Sequence, residues 1–163
     1  MKSVLAPHLG RPVVFGRRRP RVVGPHFRLR NYLKAAFPTP PASCDFSAPA
    51  LPVLSDIMQN DQLGDCVIAG GYHVVGVATG GAGDLFHATP AQVLADYGAI
   101  GGYVPGNPAT DQGCDEVTAL NYWTSHGFAN GTKLAGWMVV DPTNKAEIQA
   151  ACWLFENLYF GIE

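Results

Sequence analysis

Asn60-Asp61-Gln62-Leu63-Gly64-Asp65-Cys66-Val67-Ile68-Ala69 is the stretch that decides the fold. Its first half is polar and turn-like. Its second half opens an apolar run that continues through Tyr72, His73, Val74, Val75 and Val77. That run predicts a helix beginning at Cys66, with Asp65 in the N-cap position. Gly70 and Gly71 inside it each cost about 1 kcal/mol against alanine. Two glycines there predict another element packed close against that face.

Cysteine in the first turn of a helix sits where unpaired N–H groups and the helix dipole favour a thiolate. The same N–H groups can stabilise an oxyanion during acyl transfer. Gly64 lets backbone come close to a bound substrate, and Gly64 and Asp65 are the candidate substrate-binding residues. Asn60, six residues before the cysteine, can curl back and donate a second hydrogen bond to the oxyanion. Asp65 works in both directions: its charge opposes a neighbouring thiolate, and a capping role partly offsets this. The plainer reading of Cys66 is a small buried helix residue.

Downstream of this helix, Thr89-Pro90-Ala91-Gln92 carries a capping box with proline in the first turn. A helix is expected from there, stopping before Gly98, and Gly98–Gly113 is expected as a loop. Asp115 caps a third helix through Val117, Leu120, Tyr122 and Trp123 to Gly127. Lys133–Val140 is expected as a strand, Asn144–Phe155 as a fourth helix and Leu158–Ile162 as a short strand. Helices first and strands late predict α+β.

Upstream lies a different composition. Residues 1–41 hold seven prolines among arginines, which favours extended backbone over long helices, with room for one short helix in Phe27–Phe37. The boundary with the body is expected at Cys44, giving an arm over 1–43 and a domain over 44–163. Residues 1–44 hold nine basic residues and no acid; the remainder holds two basic residues against all thirteen acids, so +9 is joined to −11 for a net −2. An arm of that charge is expected to meet something anionic. Nucleic acid, a neighbouring subunit or this body itself would serve, and Arg17, Arg18, Arg19 and Arg21 are the candidate anion-binding residues. The arm can equally be a solvated tail or a pro-segment lying over the Cys66 site.

Four cysteines without a C-x-x-C pair fit neither a zinc site nor a disulfide scaffold, so no metal or organic cofactor is expected. The start of the chain lacks the apolar stretch of a signal peptide. No run of about 18 apolar residues predicts a membrane span.

The order of these segments resembles the N-terminal half of papain-like cysteine peptidases, and in particular papain-like proteins of bacteria and their phages. The nucleophile of that family follows Gln-x-x-x-Gly-x-Cys at the start of its central helix. Cys66 falls on the nucleophile, Gly64 on the glycine and Asn60 on the oxyanion-hole glutamine. Asp111-Gln112-Gly113-Cys114 is similar to the family's Asn-Gln-Gly-Cys segment. The helix and strand expected after Asn144 are similar to those preceding its catalytic histidine. The resemblance spans roughly 45 to 163. It implies amide hydrolysis of a peptide or protein through an acyl-enzyme at Cys66. Asn60 is one methylene shorter than glutamine, and Val67 replaces an aromatic. Leu63 stands where secreted members have cysteine, which leaves Cys114 without a disulfide partner and implies a reducing compartment.

A cysteine peptidase also needs a histidine to take the thiol proton. In this family it lies roughly 130–150 residues past the cysteine, beyond the last residue here, so the domain is expected to be incomplete. His73 is two helical turns from Cys66, about 10 Å along the axis, and cannot be that partner. His87 and His126 are expected at the surface or in caps, and His8 and His26 lie in the arm. Two function classes follow. One is a thiol hydrolase whose histidine comes from elsewhere; the other is a non-catalytic structural part of a virion or similar assembly, anchored by its arm. Phosphate binding by Arg17–Arg21 is a third.

Overall fold

The computed structural model describes residues 2–7, 10–19, 26–33 and 37–161. In chain order its elements are an antiparallel hairpin of β1 (Lys2–Ala6) and β2 (Arg11–Phe15), then α1 (Leu51–Leu54), α2 (Cys66–Gly81), α3 (Pro90–Gly101), α4 (Glu116–Ser125) and α5 (Lys145–Phe155). The architecture is α+β, with helices carrying the body.

The helix starts follow their caps. Thr89 and Gln92 form the reciprocal capping box of α3, with Pro90 in the first turn. Asp115 accepts from the Thr118 N–H at the head of α4, and Asn144 accepts from the Glu147 N–H at the head of α5. The end of α3 differs from expectation. The helix runs through Gly98 and stops at Gly102, whose φ of 77° is the left-handed conformation that ends helices at low cost in glycine.

The buried body is built around α2. Ile68, Tyr72 and Tyr97 are fully buried with Val53, Val93 and Trp123 about them, and each such side chain contributes about 1.5–3 kcal/mol by leaving water. The glycines of α2 admit the close neighbours their presence predicts. A Cβ at Gly70 would stand 2.8 Å from the Tyr159 ring, one at Gly71 2.8 Å from Phe128, and one at Gly76 2.7 Å from Val53. Phe128 stacks on Trp123 with ring centroids 4.3 Å apart. The buried Asp96 is satisfied, accepting from Tyr72 Oη at 2.5 Å and from the Ala129 N–H at 3.0 Å.

Neither late strand forms. Within 133–140 only Val139 pairs, in a parallel bridge to Arg28, with Val139 N–H donating to the Phe27 carbonyl and Leu29 N–H to the Val139 carbonyl. Residues 158–161 are irregular because Tyr159 turns its ring onto Gly70 instead of joining a ladder; Ile162 lies outside the described residues. The sheet that does form is the arm's own hairpin. Of the short helix expected over Phe27–Phe37, a single 3-10 turn at Leu29–Asn31 is present, and residues 34–36 lie outside the description. Leu29 is fully buried, so the arm contributes to the core. No helix among the described residues is long and apolar enough to cross a membrane.

Candidate active site

Cys66 is the first residue of α2, and two loops flank it. One is the turn 56–65, in which Met58 and Gln59 hold positive φ of 51° and 70°. The Asp56 side chain takes the Met58 N–H at 2.9 Å and supports that turn. The other loop is 111–114. Asp111 joins the two: it accepts from the Gly64 N–H at 3.0 Å and from Tyr97 Oη, and Tyr97 Oη in turn accepts from the Gly113 N–H at 2.9 Å. The two loops thus form the walls of a slot with Cys66 at its floor.

The arm occupies this slot as extended peptide. Val14 N–H donates to the Asn60 carbonyl at 2.7 Å, and the Asn60 amide, oriented to satisfy its neighbours, donates to the carbonyls of Val14 at 2.7 Å and Leu63 at 3.2 Å. Cys114 N–H donates to the Gly16 carbonyl at 3.1 Å, and Arg18 N–H to the Cys114 carbonyl at 2.8 Å. The backbone N–H groups of Gly16 and Arg17 face the Cys66 thiol. There is no space for a side chain at the crossing. A Cβ at Gly16 would overlap the Gly64 backbone, and one at Gly113 would overlap the Gly16 carbonyl.

The arginines expected to seek an anion are placed by this crossing. Arg17 Nε reaches Glu116 Oε1 at 2.5 Å. Arg18 donates to the Gly113 and Gly101 carbonyls. Arg19 is exposed, and Arg21 lies outside the described residues. Arg11 stands 4.0 Å from Asp61. Beside the slot, Cys66, Gly70, His73, Arg17 and Tyr159 line a cavity of about 270 Å³.

The electrostatics run against a thiolate. Burial raises the Cys66 thiol pKa, and the adjacent Asp65 adds to the rise; the Gly16, Arg17 and Val67 N–H groups pull the other way but do not prevail. The helix start favours a thiolate and Asp65 opposes it, as expected; burial, which removes the water that would solvate the charge, outweighs the helix start. Asp65 departs from its expected role as well. It holds the N-cap position, but the Ile68 and Ala69 N–H groups go to its backbone carbonyl, at 2.8 and 3.0 Å. Its side chain is fully buried, and neither carboxyl oxygen meets a hydrogen-bond partner among the described residues. Burial, with Asp111 and Asp61 nearby, pushes its pKa up to about 8. Burial therefore favours the neutral form of Asp65.

None of the described histidines engages Cys66. His73 Nε2 bonds the Asp56 carbonyl at 3.0 Å, and its pKa is lowered by burial. His87 pairs with Asp56 Oδ2 at 2.7 Å, His126 with Ser125 Oγ at 2.7 Å, and His26 meets the Trp137 ring at a tilt of 44°. His8 lies outside the described residues.

Comparison with protein-family models, with curated protein sequences and with solved structures returned no match.

The structure thus brings Asn60, Gly64, Asp65 and Cys66 together, with Arg17 and Arg18 laid over them. Sequence reasoning missed three contributors: Tyr97, Glu116 and Gly16. The first two read as an ordinary helical aromatic and an ordinary helical acid. Gly16 carried a usable signal, a single glycine between Phe15 and three arginines where extended backbone has no local need of one.

Proposed function

We propose that this chain carries the nucleophile half of a papain-like thiol hydrolase, with Cys66 as nucleophile and peptide as the class of substrate. The observation that carries the reading is the occupied slot. An extended peptide lies across a helix-start cysteine, and its Val14 carbonyl accepts from the Asn60 amide at 2.7 Å, the group expected to serve an oxyanion. In this reading an imidazole supplied by another segment or chain takes the Cys66 proton, Cys66 attacks a substrate carbonyl to form an acyl-enzyme as the C–N bond breaks, the leaving amine takes that proton, and water then releases the acyl group. The bound arm is not in position to be cut. Its N–H groups, not a carbonyl carbon, face the thiol, and the Gly16 carbonyl is held by Cys114.

A second reading, a peptidase-like body kept for assembly, is favoured by one arrangement. The thiol is un-ionised with no described imidazole bonded to it, and Val4 and Leu5 of the hairpin stand in solvent.

Acylation separates the two. The full chain carrying Gly16→Val, which forces the arm off Cys66 by overlap with Gly64, is incubated with an activated peptide ester, with and without free imidazole, and the adduct is mapped by mass. The hydrolase reading expects acyl-Cys66, formed and released faster with imidazole, and no such adduct in Cys66→Ala. Acylation spread evenly over Cys44, Cys66 and Cys152, or none at Cys66 with imidazole present, removes that reading and leaves the assembly part.

A further inference from the structure

The residues that the slot holds carry information about what it selects, resting on the reading of the slot as a substrate cleft. We propose that the cleft at Cys66 selects extended peptides in which glycine is followed by two arginines.

Three independent features carry this. The first is steric. At the crossing between Gly64 and Gly113, both walls are backbone, and a Cβ at position 16 would overlap the Gly64 carbonyl. Backbone cannot withdraw as the end of a flexible side chain can, so only glycine passes. The second is the acid at the exit. Glu116, on the first turn of α4, is largely shielded from water and meets the first arginine side chain through its Nε. The third is the carbonyl pair beyond it. Gly101 ends α3 and Gly113 belongs to the wall, and both present backbone oxygens to the second arginine. Arginine's planar array of donors suits such a set of acceptors, whereas lysine presents a single point charge.

The main-chain bonds to Cys114 and Asn60 are indifferent to sequence and supply hold. The glycine gap, Glu116 and the paired carbonyls supply choice, the usual division when a peptide is added edge-on to a protein backbone. The chain's own Gly16-Arg17-Arg18 is then a tethered ligand. Tethering gives it an effective concentration in the millimolar range, so an outside peptide enters only once the arm is displaced.

The test uses the full chain carrying Gly16→Val, which forces the arm out by overlap with Gly64. The probe is a fluorescent peptide copying residues 11–19, with two controls, one with valine in place of Gly16 and one with alanine in place of both Arg17 and Arg18. Binding is read by anisotropy, and occupancy by slowed alkylation of Cys66. The variant is expected to bind the copy, to bind the valine control not at all, and to bind the alanine control at least about tenfold more weakly, the scale of a lost charged hydrogen bond; the unsubstituted chain is expected to bind none. Should the variant not fold, Arg17→Ala loosens the arm without creating overlap. There the copy must slow Cys66 alkylation more than either control does. Equal binding of the glycine and valine peptides, or no binding and no protection by the copy, overturns the proposal. Neither readout needs turnover. Selective binding without acylation therefore removes the hydrolase reading alone, and acylation of Cys66 without preference for this peptide removes the selectivity alone.

Discussion

Asp65→Asn is expected to flatten the pH dependence of stability and to raise stability near pH 8 by about 2–4 kcal/mol. The native state holds the Asp65 proton to about pH 8, whereas the unfolded chain releases it near pH 4. Stability must then fall as pH rises across that window, and level off above it. A rise from 3.8 to about 8, at about 1.4 kcal/mol per pH unit, bounds the loss at about 6 kcal/mol. Relaxation and water entry around a newly charged group reduce it to the expected figure. His73, held low by burial, slopes the opposite way, with stability gained as pH rises toward its unfolded value of about 6.5. Urea titrations at several pH values measure the slope in both chains. An unchanged slope in the variant would mean that Asp65 ionises inside the fold against a partner.

Arg30→Met is expected to cost about 2–3 kcal/mol, although the residue lies in the arm. Arg30 joins two acids of the body. It bonds Asp141 at 2.5 Å, and its Nε stands 3.6 Å from Glu147, an ion pair without a hydrogen bond. Glu147 is fully buried and neither of its carboxyl oxygens has a hydrogen-bond partner among the described residues. Removing one member of a buried pair strands the other charge, at about 3–5 kcal/mol. The Arg30 side chain is 40% exposed, so entering water offsets part of that. Adding Glu147→Met to the variant should recover most of the loss, because the stranded charge is gone. Chemical denaturation of the four chains of that cycle checks it. A cost near zero for the single variant would show that this part of the arm is not held by the body.

Where local chemistry decides, the fold was legible. The heads of α3, α4 and α5 stand at Thr89, Asp115 and Asn144, because a side chain that accepts its own helix's N–H groups acts within four residues. The glycines of α2 announced close neighbours for the same local reason. The strands expected at 133–140 and 158–162 failed because a strand is made by its partner. Val139 found only the arm to pair with, and Tyr159 was better placed on Gly70. At the site, Cys66, Gly64 and Asn60 were legible from their order. The sign of the thiol's shift was not, since it depends on burial by the folded chain, including residues 14–18 arriving from fifty positions upstream. The charge split between arm and body held part of that answer: Arg11, Arg17 and Arg30 all meet acids of the body.

The arm covers Cys66, and the buried thiol stays un-ionised. Site-resolved alkylation of the full chain from about pH 5 to about pH 9 tests it directly, with the exposed Cys44 as internal reference. Cys66 is predicted to react more slowly than Cys44 throughout, and to titrate above the ordinary thiol value of about 8.5. A Cys66 that reacts faster than Cys44 near neutral pH, with its thiolate forming below that value, would contradict the claim and show an open, activated nucleophile.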